Sequence, residues 1–453
     1  MIFAQQFLAS ILSDRSGAAR AGRSHRINSM SVGLYISVPF CRTKCSYCNF
    51  ASDVFSRSAY ENYVSRVTED IGYARQLASQ LGCSLDETAD SIYVGGGTPS
   101  ILDASQLLRI FAAVREQFAI TPDAEITVEC APGTLTPALI ETLLQRGVNR
   151  VSLGVQSFVD QEARSVGRLH KRSTVLDEIN LLRGAGLANI NIDLIAGLPH
   201  QTADSWTFSL AETIATKVPH ASVYMLEVDE DSRLGRELIA GGARYHAHFV
   251  PSEDSTADFY QQACEMLASA GVEQYEISNF ARVTTPARNS ESRHNLKYWT
   301  REPYIGFGVD AHSMLKTDAG HAELMEPDTE PYRAIRFATP DSLDAFLNHA
   351  PHSVTPVSAQ AAIEEQFFLG LRLNRGVDLD CVFGGSHSCE PGSRRVDADG
   401  WQSAIDECLR DGLLEQRGAT VWLTARGRLL SNEVFARFLV DETKVGSGHV
   451  KPR

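Results

Sequence analysis

No apolar run in these 453 residues approaches the roughly 18 needed to suggest a membrane span. Positive charge is also in short supply. The 42 Lys and Arg are outweighed by 56 Asp and Glu, for a net charge of -14. That balance argues against nucleic acid or an anionic membrane surface as the main partner. Over Val357–Val440 lysine is missing altogether, and nine arginines face twelve acids. A nucleic-acid-binding domain would carry a basic footprint, and this segment has none. No second cysteine pair at structural-zinc spacing accompanies the one cysteine cluster near the N-terminus. The nine cysteines are odd in number and mostly scattered, which suits a reducing compartment better than a disulfide scaffold. Cys83, Cys130, Cys264, Cys381, Cys389 and Cys408 are each expected as packed or surface thiols. Otherwise the composition, 43% apolar and 22% charged, is that of a soluble globular protein long enough for two domains.

The most informative stretch runs from Tyr35 to Phe50, Tyr-Ile-Ser-Val-Pro-Phe-Cys-Arg-Thr-Lys-Cys-Ser-Tyr-Cys-Asn-Phe. Cys41, Cys45 and Cys48 lie four and three residues apart. So short a loop can bring three thiolates together, and thiolate is the soft donor that iron–sulfur clusters require. Three ligands leave one iron of a four-iron cluster open to a substrate or cofactor. A zinc site or a disulfide pair are the other readings of these residues.

Between Leu34 and Leu226, short β-branched runs alternate with longer helical patterns. Strands are expected at Leu34–Val38, Ser91–Val94, Glu125–Glu129, Arg150–Leu153, Asn189–Leu194 and Ser222–Leu226. Ser58 and Glu61 form a potential capping box, with Val64, Val67 and Ile71 on one helical face. Thr136-Pro137 opens another helix and Gly147 stops it. Such alternation predicts a parallel sheet with right-handed crossovers. Functional groups are then expected at the C-terminal strand ends. Chemically apt residues fall there. The cysteine loop follows the first strand and Gly95-Gly96-Gly97-Thr98-Pro99 the second, where missing Cβ atoms let backbone approach a ligand. Glu129 ends the third strand, Gln156 follows the fourth with Arg168 twelve residues on, and Asp193 lies near the end of the fifth. Carboxylates accept from hydroxyls and arginine clamps a carboxylate. Bracing of strand ends is the bland alternative for Glu129 and Asp193.

The cysteine stretch closely resembles the signature of the radical S-adenosylmethionine (SAM) family. With Gly-Val-Gln-Ser-Phe within Gly147–His170 and with Ile192–His200, it resembles the branch that holds oxygen-independent coproporphyrinogen III dehydrogenase and the HemW haem chaperones. The resemblance runs over roughly Leu34 to Val440. It implies a partial (β/α)6 TIM-like barrel with a mostly helical, winged-helix-like C-terminal domain. It also implies a 4Fe–4S cluster on Cys41, Cys45 and Cys48, with SAM on its open iron. Matching positions place Tyr35, Tyr47, Gly96, Gly97, Thr98, Glu129, Gln156, Arg168 and Asp193 at SAM, with Leu226 a further member. After Leu226, Glu-Val-Asp-Glu-Asp-Ser departs from the pattern.

Two features separate the branches. The dehydrogenase carries a fourth cysteine two places after the third, whereas Asn49 and Phe50 follow Cys48 here. Ser292-Arg-His-Asn-Leu-Lys-Tyr-Trp299 resembles the chaperones' His-Asn-x-x-Tyr-Trp motif. His294 and Tyr298, four apart, would share a helical face, and either residue type can ligate haem iron. Alternatively they bond backbone and the aromatics fill an inter-domain seam. The resemblance implies a cytoplasmic protein that binds haem and passes it to acceptor haemoproteins. Membrane contact would come only through those acceptors. Oxidative decarboxylation of coproporphyrinogen III is the alternative.

The expected organisation has five parts. Residues 1–30, with Arg15, Arg20, Arg23 and Arg26, resemble a transit peptide or a translated upstream region, and a disordered or non-native extension is expected. Residues 31–280 form the radical SAM core, and 281–356 a connecting region with a glycine-lined turn at Tyr304–His312. Residues 357–440 form the C-terminal domain, with an insertion loop at Gly384–Gly400, and 441–453 a tail.

Overall fold

The computed structural model describes residues 31–282, 290–317, 332–384 and 399–439. The expected 1–30 extension, the 441–453 tail and most of the 384–400 loop lie outside the described residues.

Six parallel strands pair in chain order: β1 (Val32–Val38), β2 (Thr88–Gly96), β3 (Ala119–Cys130), β4 (Arg150–Gln156), β5 (Ile190–Ala196) and β6 (His220–Met225). These are the six expected strands, most of them a few residues longer than the β-branched runs suggest. The sheet continues with β7 (Val272–Gln274), β8 (Asn279–Arg282), β9 (Tyr304–Gly308), β10 (His312–Lys316), β11 (Ala334–Ala338) and β12 (Ser353–Val357). Its order is β12-β11-β10-β9-β1-β2-β3-β4-β5-β6-β8-β7, so β12 and β7 are edges and the sheet does not close on itself. The fold class is the expected α/β one, with the six parallel strands at the centre of a sheet whose two edges do not join.

Residues 281–356 are more than a connection. Four of the twelve strands come from there, and β9 pairs parallel with β1 from Gly33↔Tyr304 to Ser37↔Gly308. The turn expected at Tyr304–His312 is therefore largely a strand.

Helix starts follow local chemistry. The Thr136 side chain accepts from Leu139 N–H, Pro137 occupies the first turn, and Gly147 beyond the helix end has φ +82°. Asp103 and Gln106 form a reciprocal capping box. The box expected at Ser58 does not form. That helix begins at Arg57, and Ser58, already inside it, meets Ser56 Oγ at 2.9 Å. Val64, Val67 and Ile71 are buried on its inner face, as the pattern predicts. Similar apolar faces on Ala104–Gln117, Arg172–Gly184 and Ala203–Thr216 are also buried. Burying each Leu, Ile or Val contributes about 1.5–3 kcal/mol.

The chain separates into two compact units. Among the described residues, one comprises the chain up to Gln274, Ser278–Tyr298 and Glu302–Val357; the other comprises Tyr275–Ile277, Trp299–Arg301 and the chain from Ser358 onward. The second unit is mostly helical, with a small antiparallel sheet of β13 (Val377–Asp378), β15 (Thr420–Leu423) and β14 (Leu414–Arg417) in that order. Thr424 caps the helix after the hairpin by accepting from Gly427 N–H. Cys381 is disulfide-bonded rather than the free thiol the sequence suggests. No helix among the described residues is long and apolar enough to cross a membrane.

Candidate functional site

Side chains alternate across each strand, so register decides which residues share the inner face. Glu129 stands opposite Ser152, Ser152 opposite Asn191, and Asn191 opposite His220. The next tier pairs Gly154 with Asp193 and Asp193 with Ser222. The interior of the parallel core is thus polar, while Val128, Val151, Ile192 and Val223 on the other face are fully buried. One cavity opens from this interior to the C-terminal strand ends. It is lined by Cys41, Cys45, Cys48, Tyr47, Gly96, Gly97, Thr98, Glu129, Gln156, Arg168, Asp193 and Leu226.

The cysteine loop is held against itself and its neighbours. Cys41 N–H donates to Asp53 O and Asp53 N–H to Pro39 O, each at 3.0 Å. Lys44 Nζ donates to the Phe50 and Ser52 carbonyls, both at 2.8 Å. Thr43 Oγ1 reaches Gly167 O at 3.0 Å, and Ser46 N–H reaches Val166 O at 3.1 Å, which ties the loop to the segment bearing Arg168. Thr98 Oγ1 lies 3.7 Å from Cys41 Sγ, within reach of the thiol. Burial raises the Cys41 thiol and pushes Cys48 up to about 11, so both are neutral until a metal centre takes up their negative charge.

Glycine in the second loop serves the loop next to it. A Cβ on Gly97 would stand 2.6 Å from Phe40 O and 3.0 Å from Cys41 Sγ. The bare backbone is needed there for the cysteine loop to pack, beyond the ligand approach that the sequence suggests.

Glu129 accepts from Tyr93 Oη at 2.8 Å and from Gly96 N–H at 3.1 Å. Burial lifts its carboxyl to about 7, with the Asp193 charge acting in the same direction and the Tyr93 hydrogen bond opposing. Asp193 accepts from Ser152 Oγ at 3.0 Å and from Asn191 Nδ2 at 2.7 Å, and burial raises it too. Arg168 donates to Tyr47 Oη at 2.8 Å, and its buried Nε has no partner. Gln156 has φ +68°, a strained value for a non-glycine residue, and its buried Oε1 is also unpartnered. A Cβ on Gly154 would stand 3.2 Å from Arg168 Nη2 and 3.3 Å from Gln156 Nε2, so that glycine leaves room for both. Leu226 packs on the apolar cluster of Val166, Ile195 and Leu198, together with Tyr47 and Tyr224.

Three expected site residues lie elsewhere. Tyr35 is buried one layer below, its ring 6.3 Å from Tyr93, and does not line the cavity. His294 is fully buried, with Nδ1 3.0 Å from Ser91 Oγ and Nε2 2.9 Å from Tyr298 Oη. Gly33 makes space for it, since a Cβ there would come within 3.3 Å of the imidazole Cε1 and 2.7 Å of Lys297 Cδ. Burial, and then the Lys297 charge, hold His294 down at about 3. As haem donors His294 and Tyr298 are badly placed, because both imidazole nitrogens are engaged and neither residue reaches the cavity. The motif presents Asn295 to the cavity instead, with a buried, unpartnered Oδ1. Trp299 carries the Arg372 guanidinium over its ring at 4.2 Å.

Residues the motif reading misses are the inner-face polar groups. Asn191 donates to Ser152 Oγ at 2.7 Å and Ser222 Oγ at 3.0 Å, and its Oδ1 meets His220 Nδ1 at 2.6 Å. Ser222 donates to Asn279 at 2.8 Å. Their signal is in the sequence: polar residues at every second place of otherwise apolar strands, as in Asn191-Ile-Asp193-Leu and His220-Ala-Ser222-Val. A contact linking the loops at the mouth is also unforeseen, in which Asn49 Nδ2 donates to Asp229 Oδ2.

This donor set suits the groups that the radical SAM resemblance implies. Cys41, Cys45 and Cys48 all line one cavity and are the soft thiol donors that a cluster requires. Unpartnered Arg168 Nε and Gln156 Oε1, beside Glu129 and Asp193, match a ligand carrying carboxylate, amine and hydroxyl groups.

Comparison with known proteins agrees with this architecture. The Radical SAM superfamily is matched over residues 35–210 and the HemN C-terminal domain over 357–430. The heme chaperone HemW of Lactococcus lactis is 32% identical, covering 90% of this chain and 97% of its own. Its namesakes in Bacillus subtilis and Escherichia coli are 30% and 32% identical, each covered over 98% of its length. Among solved structures, coproporphyrinogen III oxidase (HemN) of Escherichia coli superimposes with a TM-score of 0.70 over 90% of both chains at 22% identity, which speaks for the fold alone. At 30–32% identity to these proteins over about nine-tenths of its length, the chain belongs to the HemW family of the radical SAM superfamily.

Proposed function

We propose that the protein binds haem and delivers it to acceptor haemoproteins in the cytoplasm, with a 4Fe–4S cluster and SAM held at the mouth of the parallel core. The observation that carries the reading is the near-full-length similarity to proteins named heme chaperones. The cysteine loop supports it. Where the dehydrogenase branch has a further cysteine, this chain has Phe50 lining the cavity, and the preceding Asn49 is engaged with Asp229.

Cys41, Cys45 and Cys48 would hold the cluster, which supplies an open iron and one-electron chemistry when bound. Thr98 and Ser52, both near Cys41 Sγ at 3.7 Å, would donate to its thiolate and steady the negative charge. Arg168 would pair with the SAM carboxylate, while Glu129 and Asp193 would accept from its amino or hydroxyl groups. Tyr47 and Leu226 would exclude water around the adenine. Nucleic acid has no place in this reading, given the net charge of -14.

Anaerobic reconstitution followed by two parallel assays tests the proposal. Haemin titration should give a saturable Soret change, and coproporphyrinogen III incubated with SAM and reductant should remain unconverted. Sustained formation of protoporphyrinogen would overturn the chaperone reading in favour of the dehydrogenase.

A further inference from the structure

The segment after β6, Glu227-Val-Asp-Glu-Asp-Ser232, is the stretch that departs from the pattern of the resembling family. The course of the chain here is fixed at three places. Leu226 N–H donates to Ala196 O at 2.7 Å where the segment begins, and His200 N–H donates to Phe249 O at 2.9 Å where it ends. Both anchors lie at or just past the end of β5. Between them the chain reaches the cysteine loop, where Leu234 N–H donates to Ser46 O at 2.7 Å. That loop follows β1, which stands four places from β5 in the sheet. Residues 226–249 therefore form a strap from one side of the cavity mouth to the other and back. Leu226, Glu227 and Asp229 line the cavity along its course.

The middle of the strap is held by local chemistry. Ser232 is fully buried; its Oγ donates to Asp229 O at 3.0 Å and accepts from Gly235 N–H at 2.8 Å, which caps the helix Arg233–Ile239. Gly235 packs so close that a Cβ there would overlap the Asp229 backbone. Asp229 Oδ1 accepts from Asp231 N–H at 2.8 Å, so one carboxylate oxygen is used within the turn. The other, Oδ2, accepts from Asn49 Nδ2. A carboxylate only accepts, so Asn49 must turn its NH2 group towards it. Asn49 directly follows Cys48. On the other side, Ser46 N–H donates to Val166 O at 3.1 Å. The half of the loop that bears Cys45 and Cys48 is thus held between the strap and the segment that carries Arg168.

We infer that Asp229 is a positioning residue for the cluster, fastening the strap to the cysteine loop through Asn49 and so setting how firmly the cluster is retained; the inference rests on the proposed 4Fe–4S site. Removing the bond takes a charge-assisted acceptor from Asn49 and lets this half of the loop open locally. Coupling of this kind is reciprocal. A fastened strap holds Cys45 and Cys48 where a cluster needs them, and a bound cluster in turn holds the strap. Val228 and Ile239, 51% and 65% exposed, lie on the strap, so the state of the cluster site is felt at the outer surface.

The test follows iron release from the full-length, anaerobically reconstituted protein into bathophenanthroline, together with hydrogen exchange of the strap. Asp229→Ala should release iron faster than wild type by about tenfold or more, as expected for the loss of one charge-assisted bond. Asn49→Asp should act in the same direction, because two carboxylates would then face each other. Exchanging the partners, Asn49→Asp with Asp229→Asn, puts a donor opposite an acceptor again and should return release to within about twofold of wild type. A misfolded strap could not be repaired in this way. In the wild-type protein, the amides of residues 232–239 should exchange more slowly with the cluster bound than without it, and Asp229→Ala should abolish the difference. Wild-type release from the Asp229→Ala protein, a double variant as leaky as the single ones, or strap exchange indifferent to the cluster would overturn the inference and leave the cluster standing. Failure of the wild-type protein to take up about four irons per chain would overturn the cluster and the strap together.

Discussion

Two buried side chains at the cavity make opposite demands. Arg168 is a fixed cation with one nitrogen unpartnered, ready for a ligand carboxylate. Losing one charge-assisted bond costs roughly 1.5–3 kcal/mol. Arg168→Ala should therefore weaken SAM binding to the cluster-loaded protein by that amount in calorimetry, and unchanged affinity would move the carboxylate elsewhere. Glu129 is the titrating partner. Its carboxyl sits at about 7 against an ordinary 4.5, so between those values the folded protein keeps a proton that the unfolded chain has released. Its contribution to stability is full below the lower value and fades as pH rises through the upper one. Urea unfolding of SAM-free protein should show this decline reduced in Glu129→Gln. It should not vanish, because Asp193 is shifted the same way. A wild-type slope in the variant would place the titration on another group.

At the scale of loops and strands, close approach explains both what was legible and what was hidden. The six parallel strands follow from alternating β-branched runs and helical patterns, and the cavity residues follow from their places after strand ends. β9 was hidden because Gly306 and Gly308 imitate a turn. Both are glycine for a different reason: a Cβ would stand 2.5 Å from His312 O at Gly306 and 2.2 Å from Ser37 O at Gly308. Strands that pack this closely need bare backbone, and local sequence does not reveal what lies across. The same limit applies to the His-Asn-x-x-Tyr-Trp helix. Residue types suggest a haem ligand, but direction is set by tertiary packing, which turns His294 to Ser91 and Tyr298 and leaves Asn295 at the cavity. Gly97→Ala is the matching test. Its methyl would press on Phe40 O and Cys41 Sγ, so the reconstituted protein should carry less iron and show weaker cluster absorption. The melting transition of the cluster-free protein should fall as well, because the methyl meets backbone oxygens that cannot move freely. Full cluster content in the variant would mean that the cysteine loop tolerates the displacement.

For the whole molecule, the second compact unit recruits distant chain. Trp299–Arg301 belongs to it although the residues on either side belong to the first. Arg301 Nε donates to Glu365 Oε2 at 2.8 Å, and the two side chains are only 6% and 2% exposed. A pair this dry adds little net stability compared with apolar packing, because both charges lose their hydration. Breaking it from one side is different, since the remaining buried charge loses its guanidinium, at a cost of up to about 3–5 kcal/mol. Arg301→Ala should therefore lower the unfolding free energy by up to that much, while Arg301→Met combined with Glu365→Leu should recover most of the loss. Denaturant unfolding of the three proteins measures both effects. No cavity-lining residue belongs to this unit, so SAM affinity measured well below the transition should match wild type in every variant. If the single and double variants were equally destabilised, lost packing around residue 301, not the buried carboxylate, would set the energy.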